Sequence, residues 1–147
     1  MNATTNETMT LEQFNVISDV FSQAITGELS GMSNFASLPD TIDDPHEKME
    51  AVEHANSERH HAEGFTAYAK KKGLKININM EGEYWGNVRK YFLHYAQQKD
   101  FIACLIIQEV MLESFAVSMY TDVGNALGGE AGDLFLRIAD EEREHLE

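Results

Sequence analysis

The sequence predicts an all-α fold in which five helices, joined by short loops, form an antiparallel bundle. Long stretches repeat apolar residues at spacings of three, four or seven, which is typical of amphipathic helices. Both prolines lie in one short segment between two such stretches. With 147 residues and 43% hydrophobic content, the chain is large enough for one core. We therefore expect a single domain over residues 1–147, with about 1–10 flexible.

Each helix is predicted from its apolar pattern and from the residues that end it. The turn-forming segment LPDTIDDP, residues 38–45, ends the first helix. A loop containing Gly124, Gly128 and Gly129 precedes the fifth. The segment KININM, residues 75–80, alternates like a strand but has no partner, so we predict a connection. The predicted helices are Leu11 to about Ser37, about His46 to Lys72, Tyr84 to Gln98, Phe101 to Tyr120, and about Glu130 to the end.

The charge balance and the cysteine content exclude several classes of function. Acidic residues outnumber basic ones 25 to 11, which gives a formal net charge of -14. Binding to nucleic acids or to anionic membranes needs surfaces rich in lysine and arginine, so neither is expected. Cys104 is the one cysteine of the sequence, which excludes an intramolecular disulfide and a CxxC zinc or redox site. The first residues, MNATTNETMT, lack the basic and apolar segments of a signal peptide, so we expect a cytoplasmic protein.

The fourth predicted helix, FIACLIIQEVMLESFAVSMY, has two charged residues, Glu109 and Glu113. Its length suits a membrane span, but two acids near its centre argue against one, and we expect the buried centre of a soluble bundle. A carboxylate in such a helix is costly unless it is protonated, paired or bound to a metal. Glu113 shares an apolar face with Ile106, Val110, Val117 and Tyr120, which makes it the better ligand candidate of the two.

The same anomaly recurs in three other helices. Glu28 lies on the apolar stripe of the first helix. Glu58 and His61 share an apolar face of the second helix, and Glu142 and His145 share one of the fifth. Residues at i and i+3 project from one face, so each Glu-x-x-His presents an oxygen and an imidazole to one ion. Four helices thus each direct one carboxylate inward, which predicts a di-metal site in the core.

The set of donor atoms indicates which metals fit. Hard carboxylate oxygens combined with imidazole suit iron, with manganese as the second choice, better than copper or calcium. Four ionised glutamates neutralise two divalent cations, so the buried cluster has no net charge with two ferrous ions. Zinc is disfavoured because no thiolate is placed near the cluster and the carboxylate share is large. His54 and His60 neighbour the motif and are expected to be solvated or to contact the ligands.

Five segments together resemble the cyanobacterial-type aldehyde-deformylating oxygenases, also called aldehyde decarbonylases, of the ferritin-like superfamily. They are ITGE (25–28), ERHHAEGFTAYAKKKG (58–73), CLIIQ (104–108), ESFAVSMY (113–120) and EEREHLE (141–147). CLIIQ and ESFAVSMY distinguish this family from other di-iron ferritin-like proteins, because all of those share Glu-x-x-His. The resemblance extends from about Ser18 onward and implies a ferritin-like antiparallel bundle with a di-metal site in its core.

The resemblance implies the residues of the site and the reaction. Two iron ions would be held by Glu28, Glu58, His61, Glu113, Glu142 and His145. Gln108 and Tyr120 match family positions near the substrate channel and, with Glu113, are the candidate catalytic residues. The implied reaction converts a fatty aldehyde, O2 and electrons to an alkane one carbon shorter plus formate. We expect the substrate channel to be lined by Ile17, Phe21, Ile25, Ile106, Phe115 and Val117.

Two other functions are compatible with the same ligands. One is a ferritin-like protein that binds or oxidises iron or reduces peroxide, although the CxxC pair of a rubrerythrin-type protein is absent from the sequence. The other is a shortened relative that has lost deformylase activity. Members of the family continue for several helices beyond the counterpart of His145, whereas this sequence ends two residues after it.

An oxygenase also needs an electron donor, and the resemblance implies a ferredoxin-type protein. Ferredoxins are usually acidic, so a basic surface is the expected docking site. The candidate patch consists of Lys70, Lys71, Lys72 and Lys75, with Arg89 and Lys90 as neighbours. The sequence indicates no oligomeric state.

Overall fold

The computed structural model describes residues 9–146, and this part of the chain is helical with no strand. The helices are α1 Leu11–Ser37, α2 Pro45–Lys71, α3 Glu83–Gln97, α4 Phe101–Leu127 and α5 Gly129–Leu146, with a 3₁₀ turn at Leu38–Thr41. The predicted all-α fold class is confirmed. Residues 75–80 form a connection, as predicted. The flexibility expected at the N-terminus falls mostly on residues 1–8, which lie outside the described residues.

Capping interactions explain where the first two helices begin. Thr10 and Gln13 form a capping box, in which each side chain accepts a hydrogen bond from the other residue's backbone N–H. Asp44 caps α2 by accepting a hydrogen bond of 2.9 Å from the backbone N–H of Glu47. Pro45 takes the first helical position, where its missing N–H leaves no bond unmade. These caps fix the first residues of α1 and α2.

The helices pack as two antiparallel hairpins. α1 lies along α2, α4 lies along α5, and α3 contacts α1 and the first turn of α4. Two apolar clusters form the core. The first is built around the contacting rings of Phe21, Phe65, Tyr120 and Phe135. The second contains Phe35, Leu38, Ile42, Ala51, Ala55, Phe92 and Cys104. Along α1, α2 and α4, the acidic residues predicted to bind metal lie between members of one cluster and members of the other.

The boundary between α4 and α5 differs from the prediction. Helix α4 continues past Tyr120 to Leu127, because Gly124 packs within the helix directly against Gly132 of α5. The predicted glycine loop shrinks to Gly128, whose φ of 64° is a conformation that glycine adopts without strain. Gly124, the first glycine of the predicted loop, thus allows α4 and α5 to pack closely instead.

Helix α4 is not the buried centre of the bundle that the sequence predicts. Its outer face exposes Ile102, Ile106, Val110, Met111 and Phe115, with Val110 59% exposed. By length and composition alone, α4 is able to cross a membrane. Its inner face, however, carries the buried polar residues Gln108 and Glu113, which contact other helices. The prediction fails because α4 is apolar on all sides, whereas the described part of the bundle covers one side.

The connection between α2 and α3 is attached to α1 by two buried serines. The backbone N–H of Lys75 donates to Ser18 Oγ at 3.0 Å, and that of Asn77 donates to Ser22 Oγ at 2.9 Å. Between these two bonds, Ile76 packs against the first apolar cluster. The alternating pattern of this segment therefore reflects attachment to a helix, not pairing in a sheet.

Replacing Gly124 with alanine is expected to destabilise the α4–α5 hairpin. A Cβ there would lie 2.7 Å from Leu136 Cγ and 3.0 Å from the carbonyl oxygen of Gly132, so the helices would have to separate, at a cost of about 1–3 kcal/mol. Gly64→Ala is the matched control, because its Cβ would meet nothing closer than 3.6 Å and alanine favours the helix by about 0.5–1 kcal/mol. Urea unfolding should shift in opposite directions for the two variants, and equal shifts would contradict the close packing.

Candidate metal centre

Six side chains from four helices converge between the two apolar clusters. They are Glu28 from α1, Glu58 and His61 from α2, Glu113 from α4, and Glu142 and His145 from α5. Five of them are at most 3% exposed, and the side chain of His145 is 15% exposed. The structure therefore brings together all six residues that the sequence singles out as candidate ligands.

The six side chains form two overlapping groups, in each of which the potential ligand atoms lie within 4.8 Å of one another. The groups are Glu28, Glu58, His61 and Glu142, and Glu58, Glu113, Glu142 and His145. His61 Nδ1 lies 2.9 Å from Glu28 Oε1 and 2.7 Å from Glu142 Oε1. His145 Nδ1 lies 3.3 Å from Glu113 Oε1 and 3.5 Å from Glu142 Oε2. Glu58 and Glu142 belong to both groups, so they would be available to either of two ions held there.

The carboxylates of this cluster have fewer hydrogen-bond donors than their oxygen atoms need. Within residues 9–146, Glu28, Glu58, Glu113 and Glu142 each bury one oxygen atom that has no hydrogen-bond partner. The oxygen of Glu28 lies near His61 Nδ1 without the orientation of a hydrogen bond. Buried polar atoms in native structures are nearly always paired, and leaving one unpaired costs about 1–3 kcal/mol. Two divalent cations would satisfy these oxygens, so the residues fit a di-metal centre.

Burial and mutual repulsion shift the acid–base properties of the cluster. Burial raises the pKa values of Glu28 and Glu58 well above their usual range, and the other carboxylates add to the effect. Burial also raises the pKa of Glu113 to about 8. Hydrogen bonds to Glu113 and Glu142 raise the pKa of His145 to about 10. Burial opposes ionisation of Glu142, but hydrogen bonds from both histidines hold its pKa below the usual range. Without metal, the cluster therefore retains protons at neutral pH.

Each histidine of the centre is oriented by an oxygen outside the cluster. His61 Nε2 lies 3.0 Å from Glu141 Oε1, and His145 Nε2 lies 3.2 Å from Ser57 Oγ. If Nδ1 held a metal, Nε2 would carry the proton and donate it to these oxygens, which would fix the tautomer and the ring orientation. Sequence reasoning misses Ser57, because a serine next to Glu58 on a helix carries no distinguishing signal.

A π-helical turn, Ile106–Glu113, places the candidate ligand of α4. Its wider winding spans five residues per hydrogen-bonded step, so Gln108 and Glu113 both face inward. The sequence groups Glu113 with Ile106 and Val110 on one α-helical face, but both apolar residues are exposed. The prediction of that face is wrong because the extra residue of the turn rotates the preceding positions outward. The buried residues of α4 are Cys104, Gln108, Glu113, Tyr120 and Gly124.

Gln108 lies at the edge of the cluster in a network that sequence reasoning misses. Asn34 Nδ2 donates to Gln108 Oε1 at 3.0 Å, and Arg89 Nη1 donates to Asn34 Oδ1 at 2.8 Å. The absence of a side chain at Gly31 leaves room for the ends of Glu58 and Gln108. A Cβ there would lie 3.0 Å from Glu58 Oε2 and 3.2 Å from Gln108 Nε2. The available signal is one polar residue beside an apolar stripe, which is too common to single out Asn34.

A largely apolar cavity of about 510 Å³ opens beside the acidic cluster. Its walls combine the carboxylates and Gln108 with Tyr120 and with apolar residues of α3 and α4. The residues that line it are Gln23, Gly27, Glu28, Glu58, Asn79, Gly82, Glu83, Tyr84, Trp85, Gln108, Leu112, Glu113, Phe115, Ala116, Met119, Tyr120 and Glu142. All three candidate catalytic residues therefore border one cavity.

The residues predicted to line the channel lie mostly elsewhere. Of the six, Phe115 lines the cavity and the other five do not. Phe21 and Ile25 are buried in the first apolar cluster with Ile17 packed against them, Ile106 is exposed, and Val117 is half-buried. The apolar stripe of α1 closes the bundle against α2 and α5 through the contacts of Phe21 with Phe65 and Phe135. The cavity wall on α1 is formed instead by Gln23 and Gly27.

His54 and Glu109 form a pair beside the centre. His54 Nδ1 lies 3.5 Å from Glu109 Oε1, and its ring lies 4.9 Å from that of His145. His54, Glu113 and His145 are also close enough together to hold an ion. His60 is exposed and lies near Glu63. The structure thus places His54 in contact with the candidate ligands and His60 in solvent.

Divalent metal binding is expected to strengthen as pH rises from 6 to 8. Without metal, Glu113, with a pKa of about 8, is mostly protonated until the top of this range, and His145, with a pKa of about 10, is protonated throughout it. Metal ligands must lose these protons, and each proton displaced contributes about a tenfold change in affinity per pH unit. Titration with Co²⁺, which does not oxidise in air at these ligands, should therefore show a steep increase. An affinity that stays constant across the range would contradict these protonation states.

Glu113→Gln is expected to reduce Co²⁺ binding from two ions per chain to one or fewer, because the second group loses an anionic ligand. Glu109→Gln is the matched control, since it makes the same change on the same helix at a side chain that pairs with His54 outside both groups. The control should keep two ions per chain. Metal analysis of the purified proteins gives the stoichiometry, and equal losses in both variants would contradict the assignment of Glu113.

The sequence matches the family of long-chain fatty aldehyde decarbonylases over residues 12–140. The matched range includes Glu28, Glu58, His61 and Glu113 and ends before Glu142. The assignment of Glu142 and His145 as candidate ligands therefore rests on the geometry of the centre and not on the family match. Since the match covers most of the 147 residues, the chain belongs to the long-chain fatty aldehyde decarbonylase family.

Proposed function

We propose that the protein is a di-iron oxygenase that converts a long-chain fatty aldehyde, with O2 and electrons, to an alkane one carbon shorter plus formate. The observation that carries this proposal is the opening of a largely apolar cavity directly onto the carboxylates of the candidate metal centre. Membership of the aldehyde decarbonylase family supports the substrate class. Four carboxylates and two imidazoles support iron, with manganese as the alternative ion.

The cavity suits an amphiphilic substrate with one reactive end. Leu112, Phe115 and Met119 offer apolar surface to a hydrocarbon chain, and each buried methylene contributes about 0.8 kcal/mol. The aldehyde group would then meet the polar residues that border the same cavity, Gln108 and Tyr120. An amide N–H and a phenolic O–H are donors for a carbonyl oxygen, so both residues are suited to orient the aldehyde.

The residues around the cavity are also suited to manage protons. The balance of the reaction requires four electrons and three protons, which yield one water besides the alkane and the formate anion. When bound, two ferrous ions supply a site for O2 and part of these electrons. Burial raises the pKa of Tyr120 well above its usual range, and Glu28 and Glu142 add to the effect. Its hydroxyl therefore stays protonated at neutral pH and is available to donate a hydrogen bond.

The direct test is to load the protein with Fe²⁺ without oxygen, add a saturated long-chain aldehyde and a chemical reducing system, and then admit O2. Alkane and formate in equal amounts are expected, and Glu113→Gln should yield neither. Iron oxidation or peroxide consumption without alkane would favour a ferritin-like iron-oxidising or peroxide-reducing protein. Two bound iron ions with no turnover of aldehyde, iron or peroxide would favour a relative that has lost deformylase activity.

Filling the cavity is expected to select against long aldehydes. Leu112→Trp adds volume at a side chain that lines the cavity, so kcat/KM for long-chain aldehydes should fall about tenfold or more relative to short-chain ones. Met111→Trp is the matched control, because Met111 is the preceding residue and is 59% exposed. Metal content should be unchanged in both variants. If both variants keep the chain-length profile of the original protein, the cavity does not hold the substrate.

For the electron donor, we propose a ferredoxin-type protein that docks on Lys70, Lys72 and Lys75. The structure narrows the predicted patch, because Lys71 pairs with Glu130 at 3.0 Å and Arg89 is turned toward Asn34. Reversing the charge of Lys70 and Lys75 should lower the rate with ferredoxin and leave the rate with a small chemical reductant unchanged. Equal ferredoxin-supported rates before and after reversal would exclude this patch.

A further inference from the structure

We propose that Arg89 and Asn34 are positioning residues, which fix the side-chain amide of Gln108 with its NH2 group toward Glu58 and the cavity. The relay consists of three side chains from α3, α1 and α4, and it is distinct from the candidate metal ligands. The inference rests on the proposed function for its consequence, the orientation of substrate beside the metal centre. The geometry itself is independent of which substrate is bound.

The direction of the relay follows from the chemistry of arginine. A guanidinium group donates hydrogen bonds and never accepts them. The atom of Asn34 that lies 2.8 Å from Arg89 Nη1 must therefore be the oxygen, and the atom that lies 3.0 Å from Gln108 must be the nitrogen. The Gln108 atom that meets this nitrogen must then be an oxygen. One donor-only group thus determines the orientation of two successive amides.

Arg89 is itself held in this orientation by a second acceptor. Arg89 Nη2 donates to Ser37 Oγ at 3.1 Å, and Ser37 Oγ donates to the carbonyl oxygen of Ser33 at 3.0 Å. The serine hydroxyl proton is therefore committed to the backbone, which leaves its oxygen free to accept from Arg89. Asn34 is fully buried, so water does not compete for its amide. The relay is therefore fixed at its Arg89 end and shielded from water at Asn34.

The far end of the relay reaches the metal centre. Gln108 Nε2 and Glu58 Oε2 lie beside Gly31, at 3.2 and 3.0 Å from the point where a Cβ of that residue would stand. A donor at this point offers an N–H to a carbonyl oxygen in the cavity, which Gln108 lines. The opposite orientation would place Gln108 Oε1 near a carboxylate and would repel both. The relay therefore keeps a hydrogen-bond donor, the NH2 group of Gln108, at this wall of the site.

Neutron diffraction from crystals of the deuterium-exchanged protein tests the orientation directly, because it distinguishes ND2 from oxygen. The ND2 group of Gln108 is expected on the side of Glu58, and an oxygen in that place would overturn the proposal. Asn34→Asp supplies acceptors to both neighbours, so the amide of Gln108 is expected to turn and direct its ND2 group toward residue 34. An unchanged amide in this variant would show that Asn34 does not set the orientation.

Cobalt binding gives a second readout that does not require turnover. The added negative charge of Asn34→Asp would tighten Co²⁺ binding if it acted alone, whereas the turned amide should weaken it by about tenfold. Asn15→Asp, an exposed position of the same helix, is the control and should leave affinity unchanged. If Asn34→Asp does not fold, Arg89→Lys and Arg89→Met replace it, because lysine keeps a donor and methionine does not. Retained affinity in Arg89→Met, or a tighter Asn34→Asp, would overturn the proposal, and neither result depends on aldehyde chemistry.

Discussion

The burial of four carboxylates between two apolar clusters is the constraint on which the rest of the structure depends. Burial is the main cause of the raised pKa values of Glu28, Glu58 and Glu113, and repulsion between like charges in a medium of low dielectric constant adds to it. Protons relieve this repulsion partly, and two divalent cations would relieve it while pairing the oxygens that lack a donor. The bundle thus maintains a local arrangement that is unfavourable without a ligand, as functional sites commonly do.

The same constraint shapes α4, which has to present polar groups inward from an apolar sequence. Its π-helical turn brings Gln108 and Glu113 to the inner face and leaves Ile106 and Val110 outside. Leu112, on the inner side of this turn, walls the cavity that adjoins the cluster. One irregular turn therefore positions a metal ligand, a cavity wall and the amide of Gln108 together. Such turns recur at functional sites because they change which residues face inward without ending the helix.

The sequence predicts the features that depend on local spacing and not those that depend on distant contacts. Glu28 and the two Glu-x-x-His motifs are visible because i and i+3 positions share a face whatever the helix packs against. The sequence does not reveal that Gln108 and Glu113 both face inward, since a π-helical turn leaves no periodic signal. The sequence also does not reveal the cavity walls, because an apolar stripe such as that of Phe21 is compatible with both a channel wall and a core. Asn34 and Arg89 meet only through the packing of α1 against α3.

The central claim is that two metal ions bind between these four helices, and anomalous diffraction from crystals of the Fe²⁺-loaded protein at the iron edge tests it most directly. Two peaks are expected, separated by about 3.5–4 Å, as is typical of two-metal centres. One should lie against Glu28 and His61 and the other against Glu113 and His145, with Glu58 and Glu142 contacting both. A structure with no peak among these residues, or with a peak bound elsewhere in the bundle, would contradict the account.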